Sequence, residues 1–170
     1  VTVFLQRNVT GILYDLSEAS VRAMTVSAVN DAVAETLKNT DYGSFVTVSY
    51  DEAGKVSGIT ANSQKVNLFS RTTASAAMAK ISQATSGGIQ VPLGAFTGIE
   101  FLAGFGPKVS FKIISVGSVT CSFSSAFAGA GVNQTLHSVY ICVEAEVSVV
   151  LLSGTKDIVT DTEVLGAESV

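Results

Sequence analysis

The chain has 170 residues, with 10 Lys+Arg against 14 Asp+Glu, a formal net charge of -4, 47% hydrophobic and only 14% charged residues. So much apolar content with so little charge excludes intrinsic disorder. An acidic balance with no basic run argues against nucleic-acid binding, which needs Lys and Arg to neutralise phosphates.

The length fits one domain with a sizeable core. Mean hydropathy is +0.46, high for a soluble domain. No stretch reaches the ~20 apolar residues of a spanning helix. The chain begins Val1-Thr2-Val3-Phe4-Leu5, with Arg7 close behind. On these residues alone that is either an arbitrary boundary or the tail of a removed anchor.

Residues 12 to 38 predict a helix. Leu16, Ala19, Ala23, Val26, Val33 and Leu37 recur at three- and four-residue spacing, with Asn30 in the same stripe. Glu18 lies four before Arg22, a supporting surface pair. The small residues of the stripe favour packing on a sheet over a coiled coil. Two alternating runs follow, Phe45 to Tyr50 and Val56 to Ala61, joined by Asp51 to Lys55 with Gly54 available for a positive φ. Asn62 or Ser63 then caps a second helix, whose buried face is Val66, Phe69, Thr73, Ala76, Ala77 and Ile81. Ser86-Gly87-Gly88 stops it.

Ile89 to Leu93 predicts a short strand, with Pro92 placing it at an edge or strand end. Gly94 to Lys108 is a loop carrying apolar residues between its glycines. Strand periodicity then runs from Val109 to Phe123, with phase slips near Gly117 that predict a β-bulge. A turn spans 129 to 134. Val139, Ile141, Val143, Ala145, Val147, Val149 and Leu151 form one apolar face, with Glu144 and Glu146 on the other. Lys156 to Leu165 suits a charged, protected edge strand. The order is α-β-β-α-β followed by long antiparallel strands: an α+β fold, with two helices on one face of a mostly antiparallel sheet.

The residues that carry chemistry are sparse. His137 is the only histidine, falls in the apolar set of its strand, and is expected to be structural. No Gly-x-Ser-x-Gly motif and no metal-ligand spacing occurs, so no catalytic or metal-binding residue is assigned and no cofactor is expected. The 94–108 loop has neither the dinucleotide nor the Walker glycine pattern, and it leads into a strand where a phosphate loop needs a helix. Cys121 belongs to the apolar set of its strand and Cys142 to the polar set of the next. Directly paired residues share a face, so free thiols are expected.

Val91-Pro92-Leu93-Gly94, Thr97-Gly98, Gly106-Pro107-Lys108, Gly117-Ser118-Val119 and Gly131-Val132-Asn133-Gln134 together resemble the YunB family of sporulation proteins. The resemblance is specific over about 90–152 and looser over 12–89. It implies an endospore-forming bacterium of the Bacillus/Clostridium type (Firmicutes). It also implies an N-terminal membrane anchor and a domain outside the cytoplasm, at the mother-cell and forespore membranes. With it, residues 1–11 are expected to be a membrane-proximal segment after a missing anchor, and 12–170 a single extracytoplasmic domain.

The function expected is non-enzymatic: protein–protein contact with other sporulation or envelope proteins during endospore formation, with a homo-oligomer as one form of the assembly. The α-β-β-α-β order is similar to the ring-building motif of secretion rings. The candidate contact surface is Gly94, Thr97, Gly98, Gly106, Pro107 and Lys108 in the loop, with Asn133 and Gln134 in the turn. Turn geometry alone is the competing account of the glycines. The alternatives are an envelope hydrolase using Glu144 and Glu146, and a domain for an apolar ligand or lipid.

Overall fold

The computed structural model describes residues 2–38, 40–97, 99–111, 113–131, 134–151 and 154–169. Three helices, α1 (Thr2–Leu37), α2 (Tyr42–Phe45) and α3 (Ser63–Thr85), accompany seven strands. The strands are β1 (Val46–Tyr50), β2 (Val56–Ala61), β3 (Ile89–Pro92), β4 (Lys108–Phe111), β5 (Ile113–Gly131), β6 (Gln134–Leu151) and β7 (Gly154–Ser169). The fold is α+β. All strand pairing is antiparallel and falls into three sheets, β1-β2, β3-β4 and β5-β6-β7.

β6 is the centre of the molecule. Its odd-numbered residues from Val139 to Val149 are buried without exception. α3 packs over β5 and α1 over β7, so both helices cover the same face of the sheet. Polar ties fix α1 in place, and two of them are ion pairs. Glu18 accepts from Lys156 Nζ of β7 at 2.5 Å, and Glu35 pairs with Lys80 Nζ of α3 at 2.9 Å.

Local signals act where the sequence put them. Asn62 caps α3 by accepting from the Lys65 N–H at 3.2 Å. Asp51 Oδ1 accepts from the Ala53 and Lys55 N–H groups and shapes the β1–β2 turn, where Gly54 adopts φ +75°. Gly88 takes φ +69° after α3, its N–H bonded to the Thr85 carbonyl at 3.0 Å. The β5–β6 register shifts between Ile113 and Ser115 and between Val116 and Ser118, around the expected bulge. α3 buries Phe69, Thr73, Ala77 and Ile81 as the periodicity requires.

Two features differ from expectation. α1 begins ten residues before position 12, running unbroken from Thr2. Its buried face is also rotated: Val21, Thr25, Ala28, Val29, Ala32 and Val33 are buried, while Ala19, Ala23 and Asn30 are exposed. Val33 belongs to both stripes. The cause is that α1 packs against two neighbours, α3 and β7, and the broader seam outcompetes a narrow heptad-like line. Among the described residues no helix is long and apolar enough to cross a membrane.

Candidate functional site

The acidic outer face of the three-stranded sheet is the surface opposite the helices. β5 contributes Ser118, Thr120 and Ser122, whose partners on β6 are Glu146, Glu144 and Cys142. On β7, Asp161 lies opposite Glu144, Glu163 opposite Cys142 and Asp157 opposite Ser148. Hydroxyls and a thiol hold three of these carboxylates. Ser118 Oγ donates to Glu146 at 3.3 Å, Ser148 Oγ to Asp157 at 2.6 Å, and Cys142 Sγ to Glu163 at 3.5 Å. Among the described residues no group of three or more His, Cys, Asp or Glu is placed to hold a metal ion.

The two cysteines occupy opposite faces, as their parity requires. Cys121 lies opposite Val143, Cys142 opposite Ser122, and both thiols are free. Burial pushes the Cys121 thiol pKa up. Burial and then the Glu163 carboxylate do the same for Cys142. Both therefore sit on the protonated, unreactive side of thiol chemistry.

His137 is buried, only 4% exposed, on the helix side of the sheet. Tyr42 Oη and His137 Nδ1 are hydrogen-bonded at 2.7 Å, and the imidazole stacks on Phe127 with centroids 4.4 Å apart. Next to it Phe45, Phe69 and Phe123 form a triangle with centroid distances of 5.3 to 5.6 Å. A half-open groove of about 300 Å³ runs between these rings and the β1–β2 hairpin, lined by Val46, Ile59, Val66, Phe123, Phe127 and His137 among others. Phe127 is 62% exposed at its mouth. The histidine is thus structural, and it organises an aromatic groove that its position in the sequence did not reveal.

The expected contact surface divides in two. Gly94 and Gly106 do meet: the Leu93 and Gly94 N–H groups donate to the Pro107 and Phe105 carbonyls at 2.9 and 2.8 Å. A Cβ on Gly94 would stand 1.8 Å from the Leu102 carbonyl oxygen, and Gly106 adopts φ +103°. Backbone closure therefore accounts for both glycines. Pro107 and Lys108 are exposed beside them, Lys108 opening β4 opposite Pro92. Gln134 opens β6, opposite Gly131, at the far end of β5. Nineteen residues of β5 separate loop from turn, on the order of 60 Å of strand. Gly98 and Asn133 lie outside the described residues, as does the side chain of Thr97.

Residues 88–170 match the family described as Sporulation protein YunB. That span contains every motif on which the resemblance was read. The chain is also 23% identical to the sporulation protein YunB of Bacillus subtilis (strain 168), over 90% of this chain and 65% of that protein. The chain thus spans somewhat less than two thirds of the length of the curated relative it matches. No solved structure matches.

Proposed function

We propose that this chain is the extracytoplasmic domain of a membrane-anchored protein that acts in endospore formation through protein–protein contacts, without catalysis. The observation that carries the reading is the family match over residues 88–170. The surface chemistry agrees with it. On the outer face Glu146 and Asp157 accept from hydroxyls and Glu163 from a thiol, both thiols are held protonated, and the single histidine is engaged by Tyr42 and Phe127. The domain would work at the mother-cell and forespore membranes, facing other envelope proteins.

The test is made in the organism that encodes the chain, with the full-length protein. Loss of the gene is expected to lower the yield of heat-resistant spores, and the tagged protein to fractionate with membranes and be open to external protease. The double variant Glu144→Gln/Glu146→Gln is expected to restore spores fully. A folded double variant that fails to do so would move the reading to a carboxylate hydrolase. The groove beside His137 favours one further reading, an apolar ligand. Native mass spectrometry of the purified protein, free of bound small molecules, would remove it.

A further inference from the structure

The three-stranded sheet has two free edges, and they are built differently. β7 carries Lys156, Asp157, Asp161, Glu163 and Glu168. Its Val159 carbonyl accepts from Arg22 Nη1 at 3.0 Å, so α1 also guards that edge. Charge and cover of this kind are how edge strands avoid pairing with other chains. β5 has none of it. Its nineteen residues include no charged residue and no proline. From Ser118 to Gly129 its register against β6 is unbroken. The opposite side of that stretch presents a regular row of backbone donors and acceptors, and among the described residues no strand pairs with it.

A second observation lies above this edge. Met78 of α3 is 41% exposed. Two residues turn a helix by about 200°, so Met78 lies on the flank opposite Lys80, which reaches toward α1. The flank turned away from α1 thus carries an exposed apolar side chain over the unguarded strand.

We propose that β5 pairs antiparallel with β5 of a second copy of this chain, about a two-fold axis normal to the sheet, to give a six-stranded sheet. The occupant follows from charge and closure. β5 against β5 places no like charges opposite one another. β7 against β7 would oppose two acidic strands, and β5 against β7 would have to displace Arg22 from Val159. Only a self-complementary edge closes as a dimer, whereas a head-to-tail pairing propagates. The β1–β2 hairpin flanks β5 at Phe123 to Phe127, so the axis lies near Thr120. The axis keeps both helix layers on one side and brings the two Met78-bearing flanks together. The inference goes beyond the sporulation reading: it concerns the purified chain and stands or falls apart from any spore phenotype.

Light scattering and sedimentation equilibrium of the 170-residue chain are expected to give twice the 17.5 kDa chain mass at ~100 μM. Thr120→Lys/Ser122→Lys should weaken self-association about tenfold or more, with an unchanged circular dichroism spectrum. Met78→Lys, on an exposed position, should weaken it too, and serves if the double variant does not fold. Val159→Lys on β7 should leave it unchanged. In a Cys121→Ser/Cys142→Ser background, a single cysteine at 120, next to the axis, should form a disulfide dimer in far higher yield than single cysteines at 118 or 122, which face each other's positions across the pair. A monomer at every concentration would overturn the proposal. So would a mass that keeps growing with concentration, or a dimer weakened by Val159→Lys and not by the β5 and Met78 variants.

Discussion

The two faces of β6 are made by the same eighteen residues, and they obey different physics. Odd positions from Val139 to Val149 are sealed under the helices; even positions from Tyr140 to Ser148 each have at least one Ser, Thr, Asp or Glu opposite them on a neighbouring strand. The inner face stabilises by area removed from water, which depends on shape. The outer face holds carboxylates with hydroxyl donors at the surface, where each contact is worth little. A side chain one residue away therefore differs not in degree but in the kind of cost its loss incurs.

Truncations separate the two faces most sharply. Phe45→Ala removes a fully buried ring that touches Phe69 and Phe123, and should cost about 3–5 kcal/mol in urea unfolding. Ile141→Ala on β6 should cost about 2–5 kcal/mol, while its neighbour Cys142→Ala stays within about 0.5 kcal/mol. Equal costs at 141 and 142 would break the comparison. His137→Ala loses the Tyr42 hydrogen bond and the Phe127 stack, and should cost about 1–3 kcal/mol.

Under the helices the sign can reverse. Thr25 Oγ1 and Thr73 Oγ1 are buried without a hydrogen-bond partner among the described residues. Thr25→Val/Thr73→Val should leave stability unchanged or raise it by about 1 kcal/mol, read from the urea midpoint.

The smallest effect is electrostatic. Hydrogen bonds from Lys156 and Arg22 lower the Glu18 pKa, and Lys80 lowers that of Glu35. A lowered carboxyl pKa gives stability that is present above the ordinary carboxyl range and lost as pH falls through the folded value. Glu18→Gln/Glu35→Gln should therefore flatten the acid limb of the stability curve slightly, with little change at neutral pH.

The sheet was legible because its signal is local. Alternation in β6, the charged residues of β7 and the parity of Cys121 against Cys142 all follow from a period of two, which needs no knowledge of partners. The buried face of α3 was legible for a similar reason, since Phe69 and Ile81 dominate one side. α1 was not. Ala19, Ala23 and Val26 are about as apolar as Val21, Ala28 and Val29, so only contact with α3 and β7 decides between them. The aromatic groove was hidden because its parts come from α2, the β1–β2 hairpin and β5, far apart in the chain. The loop glycines were visible, but their reason was not. It is the 1.8 Å approach of a Gly94 Cβ to the Leu102 carbonyl oxygen.

The ties between α1 and β7 also order events in time. Arg22 meets Val159 across 137 positions of sequence, and Lys156 meets Glu18 across 138. Contacts so far apart cannot form until β7 has been synthesised, and they slow folding once it is. α1, made before the other elements of this fold, is thus among the last of them to be fully covered. Until β7 arrives, the side of α1 that it covers stays exposed, and the nascent chain depends on whatever shields that helix in the meantime.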